Sequence, residues 1–409
     1  MISGSNNFIT KIQGEVAKDS RGNDTIKVNV FSGNLEGSFS VPAGASTGSN
    51  EAHELRDIDG GVQSAIDNVN NIIAPKLIGF DILNQKEIDR FLLKLDGTKN
   101  KDKLGANAIL GVSIAAAKLG AKIMKMETFE YLRTLAEIKP SRRNPYLFIN
   151  LLEGGKHAKN HLAFQEYHIV PETENIKEAI EASIKIQHKL KGILHTDLNQ
   201  VHIVMGDEGG YAPEINDISK PLLLLRKAIL ECGLPFDVHL ALDVAGSSFY
   251  QNGEYIIGGE NISKEKLLLM YKDLIKEFNL FAIEDPFGEK DFESFHILKN
   301  DHPQLFVVGD DLTVTNNILL KEAIRMDCIN AMIIKPNQIG TLSETLDTMQ
   351  IARENNIELI VSHRGEETDD DFIADLAFAF SCFGLKAGSP QKPERMIKYN
   401  RLLEISTRD

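Results

Sequence analysis

The chain has no tryptophan, only three cysteines and no excess of positive charge. Each shortage narrows what the protein can be. Cys232, Cys328 and Cys382 stand far apart in apolar contexts, without metal-site spacing, and point to a reduced, cytoplasmic protein. Lys and Arg total 45 against 59 Asp and Glu, a net charge of −14, which argues against nucleic acid and anionic membranes as partners. The start, MISGSNNFIT, has no basic segment followed by an apolar stretch, so no secretory signal is expected. No run approaches the roughly 18 uninterrupted apolar residues of a membrane span. The richest, FIADLAFAFSCFGL, is short and carries Asp375, so it is expected to be a buried helix.

What is present is an ordinary globular composition, 42% apolar and 25% charged, over 409 residues, enough for two domains. Residues 1–136 read as a small α+β unit. DTIKVNVFSG and EGSFSVPAG alternate apolar and polar residues, as in a half-buried antiparallel hairpin. VPAGASTGSN has the composition of a mobile loop. Helical spacing follows at Val62, Ile66, Val69 and Ile73, again in NQKEIDRFLLKLDG, and in the alanine-rich, closely packing ANAILGVSIAAAKLGAKIM. The connector AEIKPSRRNP then separates a second unit, 144–409.

In that second unit short apolar runs alternate with amphipathic helices, the pattern of a parallel sheet covered on both faces. Six such runs end on an ionisable residue: Asp243, Glu284, Asp310, Lys335, His363 and Lys386. From Glu284 onward they are 26, 25, 28 and 23 residues apart, close to one strand-plus-helix unit. An α/β barrel places its active site at the C-terminal ends of its strands, whereas an open sheet concentrates its site at one switch point. The spread over many strands favours the barrel.

Asp243, Glu284 and Asp310 offer oxygen ligands only, which suit Mg²⁺, Mn²⁺ or Ca²⁺ better than zinc. Lys335 ends a buried strand, where burial and neighbouring cations lower an ammonium pKa, making it a candidate base for a carbon-bound proton. Alone, it reads first as an ion-pair partner of the acids, and Lys386 as a second such partner or a holder of a substrate carboxylate. Glu208, in the glycine-flanked GDEGGYAP, is a candidate general acid if a neighbour such as Glu166 raises its pKa. His157 and the hydroxyls of Ser46 and Thr47 sit on glycine-rich loops that could close over a substrate.

Together these segments resemble enolase, phosphopyruvate hydratase, as a divergent member or paralogue. DSRGN, GASTG, ELRD, LDGTKNKDKLGANAILGVS, GDEGG, IEDP, GDDLTVTN, NQIGTLSE and KYNRLL carry the likeness along nearly the whole chain. The resemblance implies an enolase-type eight-stranded α/β (TIM-like) barrel with atypical first units, capped by the smaller α+β N-terminal domain. It implies a lyase of glycolysis and gluconeogenesis that dehydrates 2-phosphoglycerate to phosphoenolpyruvate. It also implies two Mg²⁺ per site, the second arriving with substrate, and a homodimer. Pairing a Lys or His base with Mg²⁺ to stabilise an enediolate is a known property of the enolase superfamily. By position, Asp243, Glu284 and Asp310 match the Mg²⁺ ligands, and Ser46 a loop ligand of the second ion. Lys335 matches the C2 base, and Glu208 the acid at the C3 hydroxyl with Glu166 as its partner. Lys386, His157, His363 and Arg364 match substrate-binding residues, Arg364 at the phosphate.

The chain departs from the family where SHRGEET replaces SHRSGET: Gly365 stands for a serine and Glu366 for a glycine. A carboxylate turned toward a phosphate about 4 Å away costs about 4 kcal/mol at an effective dielectric near 20. An inward Glu366 therefore predicts weakened phosphate binding. It leaves room for a different α-hydroxy carboxylate as substrate, or for a binding protein of weak activity.

Overall fold

The computed structural model describes residues 7–44, 48–200 and 202–408. The N-terminal part holds a three-stranded antiparallel sheet of β1 (Lys11–Lys18), β2 (Asp24–Ser32) and β3 (Leu35–Ser40). The expected hairpin is β2–β3, closed between Ser32 and Leu35 across Gly33, whose φ of +57° suits a residue without Cβ. β1, with the polar sequence KIQGEVAK, was not anticipated. It is an edge strand that pairs from Lys11 to Lys18 along β2 while burying little beyond Ile12 and Gly14.

The alanine-rich helix Ala106–Met124 lies on this sheet and is buried along most of its length. The approach is close because of Gly37, where a Cβ would fall 2.1 Å from Ala115 O. This helix is long and apolar enough to cross a membrane, with 78% of that stretch buried within the fold. Val62, Ile66, Val69 and Ile73 are all buried, as their spacing predicts. Their helix is not uniform, since a π-helical stretch, Asn68–Ile73, joins two short α-helical pieces.

Residues 136–145 contain no helix or strand. Beyond them, eight strands close a barrel: β4 (Tyr146–Glu153), β5 (Glu166–Pro171), β6 (Val238–Asp243), β10 (Ala282–Glu284), β11 (Phe306–Gly309), β12 (Ala331–Ile334), β13 (Glu358–Ser362) and β14 (Gly384–Lys386). Between β6 and β10 a small antiparallel sheet intervenes, β7 (Tyr250–Gln251), β8 (Glu254–Ile257) and β9 (Glu260–Ile262).

The expected all-parallel sheet needs one correction, because β5 runs antiparallel to both β4 and β6. Residues 154–165 hold only a short 3₁₀ turn, Gly155–His157, with no crossover helix to return the chain to the far rim. The two helices that cover this side, Ile176–Asp197 and Lys220–Cys232, both follow β5. The remaining contacts around the barrel, from β6 through β10 to β14 and back to β4, are parallel.

The barrel interior is filled by Tyr146, Phe148 and Phe383 facing small residues such as Ala241, Ala282 and Ala331. Gly384 makes room for Phe148, 2.7 Å from where its Cβ would stand. Asp375 lies in the fully buried helix Phe372–Ala379, where Arg401 donates to it at 2.8 and 2.9 Å.

Candidate active site

Strand direction assembles the site. β6, β10 and β14 end on Asp243, Glu284 and Lys386, while Asp310, Lys335 and His363 come just after β11, β12 and β13. Glu166 is the first residue of β5. Because that strand is reversed, Glu166 reaches the same rim and pairs in register with Asp243 on one side and Glu153 on the other. Glu153, fully buried at the end of β4, was missed in the sequence because its run YLFINLLE looks like any strand end.

Two ammonium groups stand among the acids. Lys386 Nζ donates to Asp243 Oδ2 and Glu284 Oε2, both at 2.8 Å, and lies 3.3 Å from Glu166 Oε1. Lys335 Nζ donates to Asp310 Oδ2, and Gln338 Nε2 donates to Asp310 Oδ1 at 2.8 Å. Burial works against both ammonium groups, yet their carboxylates outweigh it and raise both pKa values. The fall expected for Lys335 is thus reversed by Asp310. Glu284 is pushed up to about 8 by burial and then by Asp243. Its other oxygen, Oε1, is buried without a hydrogen-bond partner. That orphaned acceptor and the all-oxygen donor set fit a divalent cation where the lysines now supply the positive charge. Among the described residues two groups bring ligand atoms within 4.8 Å of one another, His157–Glu166–Glu208 and Asp285–Asp310–Asp311, and the second shares Asp310 with this trio. Asp285 is structural, since its carboxylate accepts the backbone N–H groups of Asp310 and Asp311 at 2.9 and 2.7 Å.

Across the mouth, Glu208 sits among buried groups. Asn150 Nδ2 donates to its Oε2 at 3.2 Å, His363 Nε2 lies 3.2 Å from the same oxygen, and His157 Nε2 lies 3.8 Å from Oε1. His168 Nε2 meets Glu166 Oε2 at 2.8 Å. Burial and then Glu208 push the Glu153 and Glu166 carboxyls well up. Burial also works to raise Glu208, but His363, His157 and Arg395 hold it well below the usual range. Burial pushes the histidines down in turn, His363 to about 4. Near neutral pH both rings are therefore uncharged, and Arg395 is the cation that remains beside Glu208. The expected order, with Glu166 raising Glu208, is reversed in this state.

Arg364, nearly fully buried, donates to Glu51 Oε2 and Asn337 Oδ1 at 2.9 Å and to Glu51 Oε1 at 3.3 Å. Glu366 does not turn toward it. Arg21 Nη1 donates to Glu366 Oε1 at 2.9 Å, Arg56 Nη2 stands 4.0 Å from Oε2, and Arg21 Nη2 also donates to Asp207. Of the two orientations the sequence left open, Glu366 takes the one paired with Arg21, with Arg56 nearby but bonded more closely to Glu54 at 2.8 Å. Glu366→Gln is expected to change KM for an anionic substrate by less than about threefold, because a partly exposed ion pair is worth roughly 0–1 kcal/mol. A tenfold fall in KM in steady-state assays would show that its charge reaches the substrate. Ser46 and Thr47 lie outside the described residues.

A cavity of about 20 Å³, about the size of one water, is lined by His157, Glu166, Glu208, Lys335, His363 and Lys386 among others. It adjoins two larger spaces, about 260 Å³ beside Glu51 and Arg364 and about 850 Å³ reaching Gln165, Asp243 and Asp310. In the small one Lys335, Lys386, Glu166, Glu208, His157 and His363 face one another.

A closed α/β barrel whose mouth gathers buried carboxylates, two lysines and neutral histidines defines a barrel enzyme equipped for proton transfer. Residues 143–408 match the family described as enolase, C-terminal TIM barrel domain, and residues 9–132 match enolase, N-terminal domain. A protein named enolase from Methanocaldococcus jannaschii is 43% identical over 95% of this chain and 92% of its own length. Those from Methanococcus aeolicus and Sulfurisphaera tokodaii are each 42% identical over 97% of this chain and 94% and 95% of theirs. The chain belongs to the enolase family of enzymes, the phosphopyruvate hydratases.

Proposed function

We propose that the protein is a Mg²⁺-dependent lyase that converts 2-phosphoglycerate to phosphoenolpyruvate and water. The observation that carries this reading is that Lys335 and Glu208 line one small cavity together with Lys386 and His363. Lys335 takes the C2 proton as the free amine, which requires that Asp310 turn from the ammonium it now holds. Glu208 passes to the C3 hydroxyl a proton that it first takes up from Glu166, the carboxyl that burial keeps protonated, and the C3–O bond breaks with loss of water. Lys386 faces the substrate carboxylate, His157 and His363 border the reacting carbons, and Arg364 takes the phosphate in place of Glu51. Asp243, Glu284 and Asp310 would hold the metal, with Ser46 contributing toward a second. When bound, the cation supplies charge that offsets what accumulates on the substrate carboxylate as C2 loses its proton.

The same reading places a capping unit at 1–136 and the catalytic barrel at 144–409, in a cytoplasmic homodimer. The pairing of Glu366 with Arg21 favours the phosphorylated substrate over another α-hydroxy carboxylate.

Phosphoenolpyruvate formation, followed by absorbance with Mg²⁺ and again with EDTA, tests this. Turnover that EDTA abolishes and Mg²⁺ restores is expected. Mg²⁺ binding without turnover would move the assignment to a different substrate.

A further inference from the structure

We propose that Arg395 is a positioning residue that fixes which nitrogen of His363 carries the proton and thereby presents a permanent N–H donor to Glu208. Arg395 stands at the start of the helix Pro393–Ser406 and is fully buried. No ion pair to a carboxylate is found for it among the described residues. Its Nη1 donates to His363 Nδ1 at 2.7 Å and to Arg364 O at 2.6 Å, and its Nη2 donates to Gly365 O at 2.8 Å. A guanidinium has donors only. His363 Nδ1 must therefore accept, and the ring proton sits on Nε2. An imidazolium would set two donors against each other at 2.7 Å.

Nε2 lies 3.2 Å from Glu208 Oε2, within reach but poorly aligned for a hydrogen bond in this state; such bonds commonly tighten when substrate arrives. Burial favours the same neutral ring.

The contact is built in. Gly388, at φ +76°, lets the two side chains meet, because a Cβ there would lie 3.0 Å from His363 Cε1 and 3.2 Å from Arg395 Cδ. Tyr399 Oη donates to Gly388 O at 2.7 Å and holds that turn. A buried guanidinium bonded only to neutral acceptors is costly, and its nearby negative charges include Glu208 and Glu367.

The hydrogen-bond logic inverts the familiar acid–histidine pair. An acceptor at one ring nitrogen makes the other a base, whereas a donor at one makes the other a donor. Glu208 then has a neutral N–H facing it before and after it releases its proton to the leaving hydroxyl. The catalytic consequence rests on the lyase reading above, while the tautomer does not.

The test is NMR on the full chain labelled with ¹⁵N-histidine, with His363→Gln used only for assignment. Wild type is expected to show an unprotonated Nδ1 and a protonated Nε2 on His363 across about pH 5–8. Arg395→Met is expected to admit the second tautomer and lower kcat about 10²-fold while KM stays within about threefold. Arg395→Lys keeps a donor-only cation, and is expected to restore the Nε2–H form and most of kcat. A proton on Nδ1 in wild type overturns the proposal even if Arg395→Met fails to fold. Lost activity with an unchanged tautomer, or an altered tautomer with unchanged kcat, also overturns it. A wild type inactive on 2-phosphoglycerate but with the expected tautomer would instead count against the lyase reading.

Discussion

Lys335→Ala is expected to lower phosphoenolpyruvate formation by at least about 10³-fold while the protein still folds and still binds Mg²⁺. A positioned general base contributes roughly 10²–10⁴ in rate, and no other amine replaces this one. Lys386, the other ammonium at the mouth, is engaged by Asp243 and Glu284. Lys335 is bonded to Asp310, so the alanine variant also leaves that carboxylate short of a cation. The decisive comparison is therefore made at saturating Mg²⁺, with binding followed separately by calorimetry. A folded, Mg²⁺-binding variant that keeps more than about a tenth of wild-type kcat would remove Lys335 from the role of base.

The second large effect concerns stability. Lys386 Nζ is the shared partner of Asp243, Glu284 and Glu166, all of them buried. Lys386→Met deletes the one cation that touches all three among the described residues. Removing one member of a buried ion pair costs about 3–5 kcal/mol, because the remaining charge is left uncompensated. Glu284, pushed up to about 8, already carries a proton near neutral pH, so Asp243 is the charge that loses its compensation. In EDTA the variant is expected to unfold at a clearly lower temperature than wild type. Mg²⁺ is expected to raise its Tm by more than it raises that of wild type, because in the variant no ammonium already compensates Asp243 and Glu284 and competes with the cation; binding to the folded state alone adds about 2.7 kcal/mol at a hundredfold excess over Kd. Calorimetric scans of both proteins with EDTA and with Mg²⁺ measure the difference. Equal Tm values in EDTA would mean that the acids do not depend on Lys386 for compensation.

Much of the site was legible because burial and charge are written locally. An apolar run that stops at Asp243, Glu284, Lys335 or His363 shows a strand leaving the core at a polar place, and the regular gaps between runs show strand and helix alternating. The hairpin, the alanine-rich core helix and the buried helix containing Asp375 follow from the same periodicities. Glu366 was legible as an anomaly but not in its consequence. Its partners Arg21 and Arg56 come from the other end of the chain.

By itself, then, the sequence determined which strands end in charge, that the acids offer only oxygen, and that a barrel carries them. The tertiary structure alone decided the direction of β5, and with it the arrival of Glu166 at the mouth between Glu153 and Asp243. It alone decided that Asp310 keeps Lys335 charged in this state, that Glu51 occupies Arg364, and that Arg395 reaches His363. The physical reason is range. Periodicity records whether a residue faces core or solvent, which its near neighbours determine. A hydrogen-bond partner, a shared proton or a strand's direction depends on which distant segments pack together, and no local pattern encodes that.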